Sequence, residues 1–147
     1  MALLFSRKIA MRPSPVRAHA SRFVLACACT VAAGLATAQV PPLRGDGAVR
    51  HVCGGIGSDE STAMRAAMKD HPLSLLFART DGAYLAEVAV AVQRADGAPV
   101  LSLRASGPIC LVDLPPGRYT VDATAEGVSK RQALTLGSTP QTADFRF

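Results

Sequence analysis

The chain has 147 residues, with 16 Lys or Arg, 11 Asp or Glu, no Trp and a formal charge of +5 at neutral pH. Arg7, Lys8, Arg12, Arg17 and Arg22 fall in the first 38 residues with no acid among them, so eleven basic residues face eleven acidic ones in the remainder. That neutral remainder lacks the clustered positive face that nucleic acid or an anionic membrane surface needs; its 109 residues suffice for one domain and leave no room for a second.

Residues 1–38 read as a secretory signal peptide. The basic segment is followed by Phe23 to Ala36, an uncharged and mostly apolar run, and then by Ala36-Thr37-Ala38, the small-x-small pattern of a cleavage site. The mature chain is expected to begin at Gln39, with Met11 an alternative start. A run of 14 residues is short against the roughly 20 of a spanning helix, so no membrane anchor is expected after cleavage. Cys27 and Cys29 lack the sequence context of an acylated lipoprotein cysteine. Arginine outnumbers lysine and asparagine is absent, which suits a GC-rich bacterial gene, so the expected compartment is the periplasm, with secretion beyond it the lesser option.

Residues 39–50 form a polar, Pro- and Gly-containing lead-in, expected to be poorly ordered, and 51–147 a single domain. Asp59 to Lys69 is the one convincing helix: Ser58 is placed to cap it, Asp59 and Glu60 suit its first turn, and Pro72 stops it. Met64, Ala67 and Met68 make a narrow apolar stripe, read as packing on a sheet in preference to a recognition surface for an apolar ligand. Gly54-Gly55-Ile56-Gly57 ahead of the helix lacks both the third glycine of a dinucleotide fingerprint and a following Gly-Lys, and two acids stand where a phosphate would bind. These glycines are better read as a sharp bend or a close approach to a neighbouring strand.

From Leu73 onward the pattern is β. Leu73 to Ala78 is a buried-type run, and Arg79-Thr80-Asp81-Gly82 a turn. In Leu85 to Arg94, Val88, Val90 and Val92 share one face; Asp96-Gly97 then turns the chain into Pro99 to Ala105. Ser106-Gly107-Pro108 breaks it, and Ile109 to Leu114 is the next strand. Leu114-Pro115-Pro116-Gly117 places Pro116 and Gly117 as the central pair of a type II turn. Tyr119, Val121, Ala123 and Ala125 then alternate with polar residues as far as Glu126-Gly127. Val128 to Leu136 pairs back, and Thr142 to Phe147 is a candidate edge strand. The fold class that follows is mainly β: a small antiparallel β-sandwich of about six or seven strands with one short N-terminal helix.

The run Leu114-Pro115-Pro116-Gly117-Arg118-Tyr119-Thr120-Val121 resembles the L-P-P-G-x-Y-x-V signature of the carboxypeptidase regulatory-like domains, small sandwiches related to transthyretin-like and prealbumin-like folds. The resemblance spans about residues 84–136, with Ala86 to Val90 similar to the family's first core strand and Asp96-Gly97 to its hairpin. It departs from the family at Ser106 to Leu111, where a Thr-Asp-x-x-Gly-x-aromatic segment is frequent. In metallocarboxypeptidases this domain is the non-catalytic appendage, so the resemblance implies a fold and no protease activity.

Two cysteines remain in the mature part, Cys53 and Cys110, and in an oxidising compartment such a pair reads as one structural disulfide. The chain-entropy model assigns such a loop about 4 kcal/mol. The competing readings are free thiols, a redox pair without C-x-x-C activation, or a soft-metal site of His51 and Cys53 joined by Cys110 or a methionine. His71 is the other mature histidine, and no second close-spaced ligand pair accompanies His51-x-Cys53. Tyr119 is expected to be a core residue whose hydroxyl ties back to a nearby loop, in preference to a ligand-stacking aromatic. Neither G-x-S-x-G nor H-E-x-x-H occurs, so no catalytic residues, cofactor or metal are assigned and no enzyme is expected. The expected function is a periplasmic accessory module that binds a protein, peptide or envelope glycan through loops or an exposed sheet edge. The alternative is a small metal-binding or redox protein using His51, Cys53 and Cys110. An outer-membrane barrel ranks last, since the chain has too few aromatics for two girdles.

Overall fold

The computed structural model describes residues 39–147, so the expected signal peptide and its cysteines lie outside the described residues. The elements are β1 (Arg50–Gly54), α1 (Ser58–Ala67) extended by a 3₁₀ turn at Met68–Asp70, β2 (Leu73–Ala78), β3 (Val88–Arg94), β4 (Pro99–Ala105), β5 (Ile109–Asp113), β6 (Gly117–Ala125), β7 (Val128–Leu136) and β8 (Gln141–Arg146). They form two four-stranded sheets, one in the order β1-β5-β2-β8 and the other β4-β3-β6-β7. All pairings are antiparallel except that of β2 with β8. The fold is mainly β, with eight strands where the sequence pattern gives six or seven.

The additional strand is β1, in a stretch whose Cys-Gly-Gly run hides its periodicity. It is specified by tertiary pairing, with Arg50 to Gly54 running along Asp113 to Ile109. Within the expected lead-in, Arg44 exchanges two backbone hydrogen bonds with His51, at 2.7 and 2.8 Å, laying the lead-in along the outer edge of β1.

The inner faces of the sheets form one core. Leu73, Leu75 and Phe77 from β2, Val112 from β5 and Phe145 from β8 meet Val88, Val90 and Val92 from β3 and Tyr119, Val121 and Ala123 from β6. The rings of Phe77 and Phe145 stack with centroids 5.8 Å apart. The first sheet is covered on its other face too: Met64 of α1 is fully buried against Val52, Ile109 and Leu111, with Met68 and Ala67 beside it. The methionine stripe is therefore packing. Among the described residues the second sheet has no such cover, and along β6 buried and half-exposed residues alternate as the sequence predicts.

Three local expectations are corrected. The helix N-cap is Gly57, with no side-chain cap bond, and not Ser58, which is already helical. β3 starts at Val88, three residues late, because Glu87 adopts φ +60 and interrupts the extended chain. The turn centred on Pro116 and Gly117 is not type II: Gly117 has φ +157 and opens β6, and no backbone hydrogen bond from Arg118 to Pro115 closes it. The reason is topological, since β5 and β6 lie in different sheets and the two prolines carry the chain across instead of reversing it.

One glycine position is set by close approach and another by turn geometry. A Cβ on Gly107 would strike the Gly54 carbonyl and come within 2.8 Å of the Gly54 Cα, so β1 and the β4–β5 connection meet backbone to backbone. At the Glu126-Gly127 hairpin both central residues have positive φ, +51 and +79, the type I′ geometry that matches strand twist.

Candidate functional site

Three loops meet at one end of the sandwich. Phe77 fastens two of them: its N–H donates to the Pro108 carbonyl at 2.9 Å, and its carbonyl accepts from the Leu85 N–H at 3.1 Å. The β4–β5 connection and the β2–β3 connection are thus both hung from the last turn of β2. The β2–β3 loop is further fixed by its own turn chemistry, with Gly82 N–H donating to the Arg79 carbonyl at 3.0 Å and the Asp81 carboxylate accepting from the Ala83 N–H at 2.9 Å. The third loop leaves β1 through Gly55, whose φ of +88 turns the chain over the Ile109 side chain.

Between these loops lies a cleft of about 180 Å³, lined by Gly55, Ile56, Tyr84, Leu85, Ala86 and Pro108. Ile56 is 73% exposed and Tyr84 59%, and with Val128 they are the exposed large apolar residues among the described residues. Exposing two such side chains forgoes about 1.5–3 kcal/mol of burial for each, so burial does not account for their position. Tyr84 is nevertheless held: the Arg65 guanidinium of α1 lies 5.4 Å from its ring centroid and donates to its hydroxyl at 2.5 Å. A rim aromatic pinned from behind loses little freedom on binding. The left-handed Glu87 follows Ala86 at the edge of the cleft and is fixed there, its N–H donating to the Ala105 carbonyl at 2.7 Å and its carbonyl accepting from Arg104 at 3.0 Å. A non-glycine residue kept at positive φ beside a concave surface is the kind of local strain that accompanies binding loops.

The residues singled out from the sequence lie elsewhere. Cys53 and Cys110 are directly opposed on β1 and β5 and are disulfide-bonded, with Cα atoms 4.1 Å apart. Leu114 and Tyr119 are buried, and the Tyr119 hydroxyl donates to the Pro115 carbonyl at 2.8 Å, the tie to a nearby loop that the alternation predicts. Pro116 is exposed, and Gly117 packs on the Tyr119 ring. None of these residues reaches the cleft.

His71 is gripped by Asp113, Nδ1 to Oδ1 at 2.7 Å, and the same carboxylate accepts from Arg50 at 2.8 Å. This resembles half of a catalytic relay, yet among the described residues no hydroxyl or thiol bonds to His71, and the buried Ser74 Oγ has no protein partner. The trio joins the β1 and β5 ends to the segment before β2. His51 sits beside Arg44, and burial, followed by the positive charge of Arg44, holds its pKa below the usual imidazole value. Cys53, its expected co-ligand, has its sulfur committed to Cys110.

Sequence reasoning missed the cleft because Gly55 and Ile56 belong to no periodic element and Leu85 and Ala86 read as the start of a strand that begins only at Val88. The available signal was an isoleucine flanked by glycines, with no partner at helix or strand spacing, and a tyrosine just beyond an Asp-Gly turn. No model of a known protein family matches the chain, and no curated protein does.

Proposed function

We propose that this chain is an exported, non-catalytic β-sandwich binding module of the carboxypeptidase regulatory-like kind, which receives an apolar side chain of a protein or peptide partner in the cleft between Ile56 and Tyr84. The observation that carries this reading is the pairing of those two exposed side chains across a preformed hollow built from three loops. Export is supported by the basic and apolar leader ahead of a neutral domain and by the disulfide, which belongs to oxidising compartments. The family reading is supported by the two-sheet sandwich and by the Tyr119 tie across the Leu-Pro-Pro-Gly segment. The metal or redox alternative has less to stand on, because an intact disulfide leaves neither sulfur free as a thiolate ligand.

Selection of phage-displayed random peptides on the disulfide-bonded protein tests the proposal. Enriched peptides sharing a large apolar residue, with affinity falling at least about tenfold for Ile56→Asp, are the expected result, since ten-fold corresponds to the loss of a well-buried aliphatic contact. Ile56 is exposed and makes no fold-determining contact, so this variant folds. Peptides that bind wild type and Ile56→Asp equally, or no enrichment at all, would retire the cleft as the binding site.

A further inference from the structure

The Gly54–Gly107 backbone contact has the apolar cleft on one side along both chain segments, at Gly55 and Pro108. On the other side, at Cys53 and Ser106, the two sheets present their edge strands β1 and β4 to each other. There the lead-in closes a second hollow of about 250 Å³, with walls that include Pro42, Arg44, His51, Cys53, Arg104 and Ser106. We infer that this hollow is a binding site for a small oxyanion, a carboxylate or a phosphate, held by the guanidinium groups of Arg44 and Arg104.

The charge of the walls carries the inference. Two guanidinium groups and an imidazole contribute, and no acidic residue does. Arg44 has no ion pair among the described residues. Arg104 donates to the Glu87 carbonyl at 3.0 Å and stands 3.5 Å from the Glu87 carboxylate, with both side chains about two-thirds exposed; a guanidinium carries five N–H donors, so others remain for an anion and the exposed ion pair is exchanged at little cost. Planar guanidinium donors match the paired oxygens of a carboxylate or phosphate. The walls are also fixed: the Arg44–His51 backbone pair anchors the lead-in, the disulfide anchors β1, and the Ser106 hydroxyl donates to the Cys53 carbonyl at 3.1 Å, tying the exit of β4 to β1. That bond uses the Ser106 proton, so the hydroxyl positions the wall and the arginines supply the attraction. The volume suits a ligand of a few heavy atoms and is below the range of drug-sized pockets.

His51 reports on occupancy. The charged groups near its side of β1 are Arg44 from the lead-in and Arg104 from β4; Arg50 and Asp113, with His71, belong to the opposite face of the sheet. An anion beside Arg44 cancels the charge that helps keep His51 neutral, so its pKa rises, by about 1 for a close ion. The test is an NMR titration of the His51 ring in the disulfide-bonded protein with inorganic phosphate, with succinate, and with sodium chloride at matched ionic strength. A saturable upward shift with phosphate or succinate, absent in Arg44→Gln and retained in Ile56→Asp, is the expected result. Phosphate alone would mark a phosphoryl site, succinate alone a carboxylate site, and both a general oxyanion site. An equal response to chloride, no saturable response to either anion, or a saturable response that survives Arg44→Gln would overturn the inference. Arg44 and Arg104 are exposed and Arg44 pairs through its backbone, so folding is not at issue in Arg44→Gln, and a failure of the apolar cleft leaves this result untouched.

Discussion

The two sheets of this sandwich are equal in strand number and unlike in surroundings. The first, β1-β5-β2-β8, is sealed on one face by the core and on the other by α1, and a disulfide joins two of its strands. The second, β4-β3-β6-β7, gives one face to the core and the other to solvent, with Ala89, Arg118 and Arg131 among the exposed residues. Every loop of the apolar cleft is attached to the first sheet or departs from it, so the half of the molecule that is covered on both faces is the half that carries the proposed recognition surface. The open sheet completes the core and holds the chain crossings.

The difference is testable as a difference in stability. Replacing both cysteines, Cys53→Ala with Cys110→Ala, removes the cross-link of the first sheet and is expected to lower unfolding free energy by about 4 kcal/mol in urea denaturation. A loss under about 1 kcal/mol would mean that the helix and core suffice to hold β1. Next in size, Met64→Ala should cost about 3 kcal/mol, since it empties a fully buried site on the second face of the first sheet. The matching truncation on the outer face of the second sheet, Thr120→Ala, should cost about 0.5 kcal/mol; similar losses for the two would erase the contrast between the sheets. Between Met64→Ala and Thr120→Ala in size falls the tie across the β5–β6 crossover: Tyr119→Phe loses one hydrogen bond to Pro115 and should cost about 1 kcal/mol, read as a shift of the thermal midpoint by a few degrees.

The same contrast governs how far the sequence could be read. β6 alternates cleanly because only one face is buried, whereas β7, exposed over its first four residues, is found by its place after the Glu126-Gly127 turn, Val128 to Leu136 without adjustment. β2 reads as Leu-Ser-Leu-Leu-Phe-Ala because both of its faces are covered, which gives a strand but not its neighbours. β1 could not be found at all: five residues with a cysteine and a glycine become a strand only when β5 supplies hydrogen-bond partners. The cysteine pair was legible because its meaning depends on compartment and number, whereas the Pro-Pro-Gly segment was misread as a turn because local preferences do not reveal that the chain is changing sheets. Ile56, Tyr84 and the arginines of the second hollow were illegible for a further reason. Their proximity arises from loops and edge strands brought together by pairings far apart in the chain.

The parallel pairing of β2 with β8 places Phe145 against Phe77 only after the chain has passed four times between the sheets. Ribosomal synthesis delivers β2 long before β8, so during that interval β2 carries a raw edge on the side that β8 will occupy, and Phe77 lacks its stacking partner. A nascent chain in this condition offers a template for any passing strand, including one from another copy. Completion of the sandwich therefore coincides with the arrival of β8. The residue whose ring stacks on Phe145 is also the one whose backbone holds two loops of the apolar cleft, so the last strand and the cleft meet at Phe77.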